Sequence, residues 1–549
     1  MKKKYNVYSI KHIALFGIFL LAVFLRFYKL NTLPALNADE AAIGYNAYSL
    51  LQTGKDEHAN AWPIHFVSFG DYKPGLYFYV VMPFVKFLGL NELSVRIPSA
   101  FIGALCVVAI YFLVKQIDDK NEKAALISSF FLAISPWHIH FSRGGWEVNV
   151  ATFFILTGLF FLLRGIKNSK YLILASILFV LSLYTYHAAR IIVPILVLGV
   201  GVFYIRDFIK KIKFVLICLI VGVILVLPLG IDLLGPAGMS RAAGVGLFVD
   251  TGPINRINEQ RGEYKNISGI VPRLLHNKVV NYGLAFLSNW ASHYHGEFLF
   301  VSGDAIQRNK VPETGLLYLF DILLIPIGLI YAIKNNKKWL PVLYWLIISP
   351  IPAALTFQSP HALRSQNMVI PLIILSALGL AKMIDFIKNR VGIYNIRYTI
   401  YVILFVFVGW NFARYIHMYY VHMAKEYSFS SQYSVKELTG YISQNQDGYE
   451  KILITDRYDQ PYILFLFYMK YLPAKFQEEQ VLTPRDQFGF STVSNFHKYE
   501  FRSINFDKDR PTYPDSLIIG TDEEIPKAAN VIKTINFPNG SPAFKIVAN

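Results

Sequence analysis

The chain has 549 residues, 54% hydrophobic, 15% aromatic and only 16% charged, a balance too apolar for a water-soluble chain of this length. Its formal charge of +17 would suit a nucleic-acid binder. The Lys and Arg residues, however, gather in short hinges between apolar runs, the pattern of loops that face anionic lipid, which sets nucleic acid aside as a partner.

Lys2, Lys3 and Lys4 precede the first apolar run, which is about 18 residues long and closes on Arg26 and Lys29. The best cleavage candidate, after Ala38, has bulky Leu36 at its −3 position, so a retained first span is expected rather than a signal peptide. With that run at roughly 11–29, further windows fall at roughly 97–114, 124–141, 148–163, 171–188, 190–205, 214–233, 315–333, 339–356, 366–387 and 398–418, predicting about eleven membrane helices. Starting inside and alternating, the hinges on one side carry Lys115, Lys120 and Lys123, then Arg164, Lys167 and Lys170, then Arg206, Lys210, Lys211 and Lys213, and later Lys334, Lys337, Lys338, Lys388, Arg390 and Arg397. The opposite short hinges carry only Arg143, Arg190 and Arg364. This bias predicts a multi-pass protein of the cytoplasmic membrane with its N-terminus inside and its C-terminus outside. Cys106 and Cys218 both lie within apolar runs, so no disulfide framework is expected.

Two long outer segments, about 30–96 and 234–313, interrupt the spans. In the first, 41–51 reads as an amphipathic helix with Ala42, Tyr45, Tyr48 and Leu51 along one side. The run 76–88 after Lys73-Pro74 is apolar but too short to span, which predicts an interfacial or re-entrant helix. The second is Gly-rich through 235–269 and gains aromatic and histidine content at 290–300. Beyond Tyr419 the composition turns soluble: helices at 435–443 and 461–471, strands at 451–455 and 516–520, and a hairpin of 532–537 with 543–547 around Pro538-Asn539-Gly540. The expected fold is therefore an α-helical polytopic membrane domain over 1–419 with a small extracytoplasmic α/β domain over 420–549. That second part holds no metal-spacing motif, phosphate loop or nucleophile elbow and reads as a scaffold or acceptor-binding module.

The polar residues that stand out all fall on the predicted outer side. Asp39 and Glu40 follow the first span; Asp71, Tyr72 and Lys73 follow the amphipathic helix; His138, His140, Arg143 and Glu147 lie between spans three and four. His187 and Arg190, three apart, are expected on one helical face at the end of span five, His293 and His295 precede span eight, and His361 and Arg364 open span ten. Ionisable groups at a membrane boundary are costly to desolvate and tend to line a shared cavity. Plainer readings stand beside this one. Asp39 caps the helix that follows it, Lys73 and Arg190 are snorkelling anchors, the histidines are structural partners, and Glu147 pairs with Arg143.

An enzyme working on a lipid-phosphate sugar needs a cation on the phosphate and a carboxylate to take an acceptor proton. Asp39 as base, with Lys73 and one or more of Arg143, Arg190 and Arg364 on phosphate, supplies both. Displacement with inversion then needs no second carboxylate.

The segment with Asp39-Glu40, then Tyr72-Lys73-Pro74-Gly75-Leu76-Tyr77, Ser94-Val95-Arg96-Ile97-Pro98, and Ser135-Pro136-Trp137-His138 with Ser142-Arg143 resembles the GT-C glycosyltransferases of the protein-O-mannosyltransferase and aminoarabinose-transferase type, over about residues 10–165. Weaker pieces continue to 418, among them Gly303-Asp304 and Pro360-His361-Ala362-Leu363-Arg364. The resemblance implies a polyprenyl-phosphate sugar donor, inversion, catalysis on the outer membrane face, an Asp39 that is base or orients the acceptor with Glu40 supporting it, and a Lys73 that contacts donor phosphate. Aminoarabinose transferases place a carboxylate directly before that lysine, where this chain has Tyr72, with Asp71 one residue earlier. No metal is therefore assigned, although some relatives use a divalent ion. The acceptor, whether protein, lipid or wall polymer, and the sugar are not legible. The alternative from another class is a transporter or flippase for a lipid-linked or anionic substrate. Against it stand the absence of a repeat relating two halves and the gathering of polar residues at the outer mouth rather than at mid-depth.

Overall fold

A computed structural model of the chain describes residues 2–238, 246–390, 394–485 and 491–549, with the side chains of 2–9 excepted. The side chains of Lys2, Lys3 and Lys4 and part of the 234–313 segment thus lie outside the described residues. The chain is mostly helical and divides into two compact units. One comprises residues 1–25, 103–140 and 148–413; the other comprises 26–102, 141–147 and 414–549, so that the 30–96 segment and the C-terminal residues fall in the same unit.

In the first unit the expected apolar windows are helices. Among the described residues, six helices of the whole chain are long and apolar enough to cross a membrane, and a seventh arises if Glu122–Ile134 and Pro136–Arg143, bent by 53° at their junction, count as one. The windows at 171–188 and 190–205 appear as shorter apolar helices, Lys170–Thr185 and Ala189–Phe203. Those at 315–333 and 339–356 appear as Asp321–Lys334 and as Asn336–Ile348 with Ile351–Ala354. The helix Ile212–Leu233 is only 6% buried over its span while carrying Leu219, Ile220, Val223, Ile224 and Leu227 exposed, an arrangement that hydrocarbon tolerates and water does not.

Two local devices hold this unit together without water. Helices Asp321–Lys334 and Val369–Arg390 approach backbone to backbone through Gly328 and Gly379: a Cβ on the first would lie 1.8 Å from the Leu375 carbonyl oxygen and one on the second 1.9 Å from that of Leu324. Pro228 interrupts Ile212–Leu233, and the Tyr184 hydroxyl enters the opened rung, donating to the Leu225 carbonyl at 2.7 Å and accepting from the Leu229 N–H at 3.2 Å.

In the second unit a seven-stranded sheet runs in the order β4 (Val481–Leu482), β5 (Val493–Phe496), β6 (Tyr499–Phe501), β3 (Lys451–Ile454), β7 (Ser516–Gly520), β9 (Pro542–Ala548), β8 (Val531–Asn536), numbered after a separate hairpin, β1 (His65–Ser68) with β2 (Asp71–Pro74). Only β3 is parallel to its neighbours β6 and β7, and β7 is buried at every residue, as a central strand with both faces covered must be. Leu453, Ile504, Phe506, Ile518, Ile525 and Val547 form a buried cluster against this sheet. The buried helix Pro461–Met469 sets Phe465 edge-on to Tyr499 and Phe501. Its Phe467 meets the helix Ala38–Thr53 at Gly44, where a Cβ would lie 2.6 Å from the ring. That helix is thereby docked onto the helix Pro461–Met469 that packs on the sheet, and so is whatever its first turn carries.

Candidate active site

The helix Ala38–Thr53 is Ala-rich and opens on a capping box. The Asn37 side chain accepts the Glu40 N–H at 3.1 Å and a Glu40 carboxylate oxygen accepts the Asn37 N–H at 3.3 Å. It ends at Gly54, whose left-handed backbone (φ 70°) turns its N–H onto the Leu50 carbonyl. This corrects two expectations. The helix begins three residues earlier than 41, and its cap is Asn37, not Asp39, because Asn37 stands three residues before an acid that can reciprocate. It is also buried around most of its circumference rather than amphipathic.

Asp39 is thus left over from capping, in the first turn, where the helix dipole favours an anion. Its carboxylate forms an ion pair with the Lys73 ammonium, and both side chains retain some exposure, 25% and 13%. Lys73 comes from β2, opposite Phe66 of β1. The hairpin turns on Phe69 and Gly70, both left-handed (φ 58° and 77°). A phenylalanine rarely adopts that conformation, and here it carries the Lys73 ammonium over its ring, 4.8 Å from the centroid. Asp71 accepts the Tyr72 N–H at 2.8 Å and stays at the hairpin's end, and Tyr72 is half-buried beside it.

Glu40 is fully buried and fully used. Arg96 binds it in a fork, Nε to Oε1 and NH2 to Oε2, each at 2.7 Å. The Gly145 N–H adds a bond at 2.8 Å, possible because Gly145 has no Cβ to strike Val95, 2.7 Å away. The remaining donors of Arg96 go to the carbonyls of Leu30, Pro34 and Ala35 at 2.9 to 3.0 Å, so all five of its N–H groups have acceptors. Arg143 is also sealed at 0% exposure, donating to the Tyr419 hydroxyl at 3.1 Å and to the carbonyls of Arg26 and Leu33, with its guanidinium over the rings of Tyr419 and Tyr420. Glu147, half-buried, opens the helix Glu147–Gly165.

Within the other unit the expected residues form a second cluster. Asp304 accepts from the N–H groups of Ile306 (2.9 Å) and Ala362 (2.6 Å) and from the Asn309 amide (3.1 Å), with His361 Nδ1 at 3.6 Å. Burial raises its carboxyl above the usual range. His293 donates from Nδ1 to the Asn289 carbonyl at 2.8 Å and accepts the His361 N–H on Nε2 at 3.2 Å, and burial pushes it down to about 4. Arg364 reaches Thr356 and Gln358. His138 is wholly buried in the short helix Pro136–Arg143, while Trp137 donates to the Ala362 carbonyl and His140 bonds that of Arg308, so this segment ties down the loops around Asp304. Arg190 meets His187 at 3.0 Å and the Leu183 carbonyl at 3.1 Å. The two do not share a helix: Lys170–Thr185 ends before His187 and Arg190 opens the next helix, so they meet across the turn. Among the described residues no group of three or more His, Cys, Asp and Glu is placed to hold a metal ion.

Two residues outside the expected set matter to this geometry. Arg96 lies in the Ser94–Pro98 motif, and the only hint of its partner was an arginine entering an apolar span. Glu57, in the loop after the first-turn helix, is fully buried with Asn46 donating to it at 2.9 Å, and burial raises its carboxyl. Nothing in its sequence surroundings marks it.

Residues 72–231 match the family profile described as dolichyl-phosphate-mannose-protein mannosyltransferase. No curated protein matches the chain. Among solved structures the fold is similar to that of ArnT from Cupriavidus metallidurans bound to undecaprenyl phosphate, at 10% identity and TM-score 0.53 over 98% of each chain. The apo state of the same protein matches at 10% identity and TM-score 0.53, over 100% of this chain and 98% of that one. The archaeal oligosaccharyltransferase AglB from Archaeoglobus fulgidus, in complex with an inhibitory peptide and a dolichol-phosphate, matches at 14% identity and TM-score 0.52 over 85% of this chain. The chain spans 64% of that protein, just under two thirds of its length. At these identities the likeness is one of fold.

Proposed function

We propose that this membrane chain is a glycosyltransferase that moves a sugar from a polyprenyl-phosphate donor to an acceptor hydroxyl with inversion, at the outer face of the cytoplasmic membrane, a reading supported by the mannosyltransferase profile match and the likeness of fold to ArnT. The observation that carries this reading is the ion pair of Asp39 with Lys73, part-exposed at a helix N-terminus, beside a second acid that is sealed. In this scheme Lys73 is the cation that meets donor phosphate. As its ammonium turns to the phosphate, the ion pair with Asp39 opens and the Asp39 carboxylate takes up the acceptor proton. The acceptor oxygen then forms the new bond to the anomeric carbon, its proton goes to Asp39, and the bond from that carbon to phosphate breaks, releasing polyprenyl phosphate. Glu40 acts as a positioning residue, fixing the first turn from which Asp39 projects.

The charge bias of the hinges supports an N-terminus inside, and residues 420–549 are proposed as an extracytoplasmic α/β domain beside a membrane domain of 1–419. Arg143 contributes by holding the 26–33 segment through its carbonyls, while Arg190 and Arg364 remain proposed phosphate-side cations.

The test uses purified full-length protein, a polyprenyl-phosphate sugar and a panel of acceptors. Asp39→Asn is expected to lower release of polyprenyl phosphate by about 10²- to 10⁴-fold, the usual contribution of a general base, with the protein still folded. Full turnover in that variant would overturn the assignment of Asp39.

A further inference from the structure

The second unit contains a cleft that the scheme above does not use. It measures about 280 Å³ and is lined by the loop after the helix Ala38–Thr53, the hairpin tip and the segment around β4, with His58, Asn60, Phe69, Tyr462, Gln480 and Thr492 in its wall. We propose that this cleft binds one uncharged sugar ring of the acceptor, a reading that rests on the glycosyltransferase assignment for the word acceptor but not for the binding itself.

The hydrogen-bonding chemistry of the wall is settled by its own internal bonds. The Gln480 amide nitrogen donates to the Glu57 carbonyl at 2.8 Å, so its oxygen must be the atom facing His58 Nδ1, also at 2.8 Å. An amide oxygen only accepts, which puts a proton on Nδ1 and, in the neutral ring, leaves Nε2 as an acceptor. The Asn60 amide nitrogen is committed to the Asp56 carboxylate, at 3.0 and 3.2 Å, which leaves its oxygen as an acceptor too. Thr492 engages only its backbone, with Thr483. Among the described residues, His58 Nε2, Asn60 Oδ1 and the Thr492 hydroxyl thus have no hydrogen-bond partner. Two acceptors and a hydroxyl, with no lysine, arginine or carboxylate among the described residues of the wall, suit a ligand whose groups are hydroxyl donors and which carries no charge.

The apolar part of the wall fits the same ligand. Phe69 and Tyr462 stand edge to face, centroids 6.1 Å apart, and aromatic rings take the C–H faces of sugars. The volume, near the lower end of small-molecule pockets at about 300 Å³, suits a single ring rather than a chain. The location ties the cleft to the chemistry. Phe69 lines it and also lies under the Lys73 ammonium that pairs with Asp39, so a bound ring sits two contacts from the proposed base. The left-handed backbone at Phe69 is what turns that ring toward both.

The experiment measures binding without turnover. Full-length protein in detergent is mixed with methyl α-D-glucoside, methyl α-D-mannoside or N-acetylglucosamine and observed by saturation-transfer difference NMR. At least one of the three is expected to bind, with ring protons receiving saturation. His58→Phe and Thr492→Val, each checked for unchanged thermal unfolding, are expected to weaken that binding about tenfold. Asp39→Asn is expected to bind as the wild type does. Absence of saturation transfer to all three sugars overturns the proposal, and so does binding that neither variant weakens. If instead Asp39→Asn binds sugar normally and also releases polyprenyl phosphate at the wild-type rate, the cleft stands and the base assignment falls.

Discussion

Asp39 and Glu40 are neighbours on the first turn of one helix, and each faces one basic side chain brought by another segment. The pair Asp39–Lys73 keeps part of its surface in solvent, with the Lys73 ammonium also over the Phe69 ring. The pair Glu40–Arg96 has no exposed surface, and every donor of the guanidinium is taken by the carboxylate or by the carbonyls of Leu30, Pro34 and Ala35. A buried charge with all its bonds made is a fixed part of the fold, because removing any partner strands the others in a medium that cannot solvate them. A part-exposed pair loses less and can exchange partners with a ligand. Being next to each other in sequence says nothing about which of these a residue becomes.

That contrast is broken most directly at Arg96. Arg96→Met leaves Glu40 buried with its counter-charge gone and is expected to cost about 3–5 kcal/mol, read as a large fall in unfolding temperature. Adding Glu40→Gln to the same chain is expected to recover part of it. If Arg96→Met unfolds with the wild type, the interior pair is no more structural than the exposed one.

The cluster around Asp304 extends the comparison to the first unit. His293 is held near 4 by burial, below the ordinary value of about 6.5, and its two nitrogens are matched by the Asn289 carbonyl and the His361 N–H. The folded state therefore binds fewer protons than the unfolded one between those values. Its contribution is present above pH about 6.5 and is lost as pH falls toward 4, on the order of 3 kcal/mol across the window. Thermal unfolding from pH 7 to 4.5 is expected to fall more steeply for the wild type than for His293→Gln, which keeps an acceptor and does not titrate. Parallel slopes would show that His293 is not held neutral.

Much of this was legible beforehand, and the failures have physical reasons. Asp39 and Lys73 stood out because carboxylate and lysine flank apolar segments, and they are in fact paired. The helix 76–88 was readable from its length, and β3, β7 and the hairpin of β8 with β9 from their apolar runs. The cap at Asn37 was missed although Asn37-x-x-Glu40 carries the capping-box spacing, because the acid nearer the apolar run drew the assignment. Strands β5 and β6 were missed because Ser494, Asn495 and Glu500 break the apolar pattern and only a two-residue turn at His497-Lys498 joins them. Arg96 as the partner of Glu40 lies 56 residues away, a distance that no local pattern bridges.

Lys73 is the sharpening case on the exposed side. Lys73→Met removes a part-exposed ion pair and is expected to lower the unfolding temperature much less than Arg96→Met does. The KM for the polyprenyl-phosphate donor is expected to rise by about 10- to 100-fold, the loss of a charge-assisted contact to phosphate. A fall in stability without a change in donor KM would place Lys73 with Arg96 rather than apart from it.

The smallest effect is expected at Glu57, which resembles Glu40 in burial but has no arginine. Asn46 donates to one of its oxygens and the Tyr462 hydroxyl lies 3.5 Å from the other, while burial raises its carboxyl above the usual range. A raised acid is more protonated in the folded state, so its contribution is fully present at low pH and is lost as pH rises through its folded value. Glu57→Gln keeps an acceptor for Asn46 and cannot ionise. Its unfolding temperature is therefore expected to match the wild type at low pH, where Glu57 is protonated, and to exceed it as pH rises. The Glu40→Gln variant is expected to lower the unfolding temperature, since it removes the carboxylate onto which Arg96 forks. A buried glutamate is thus stabilising or costly according to its counter-charge, and burial alone does not decide which.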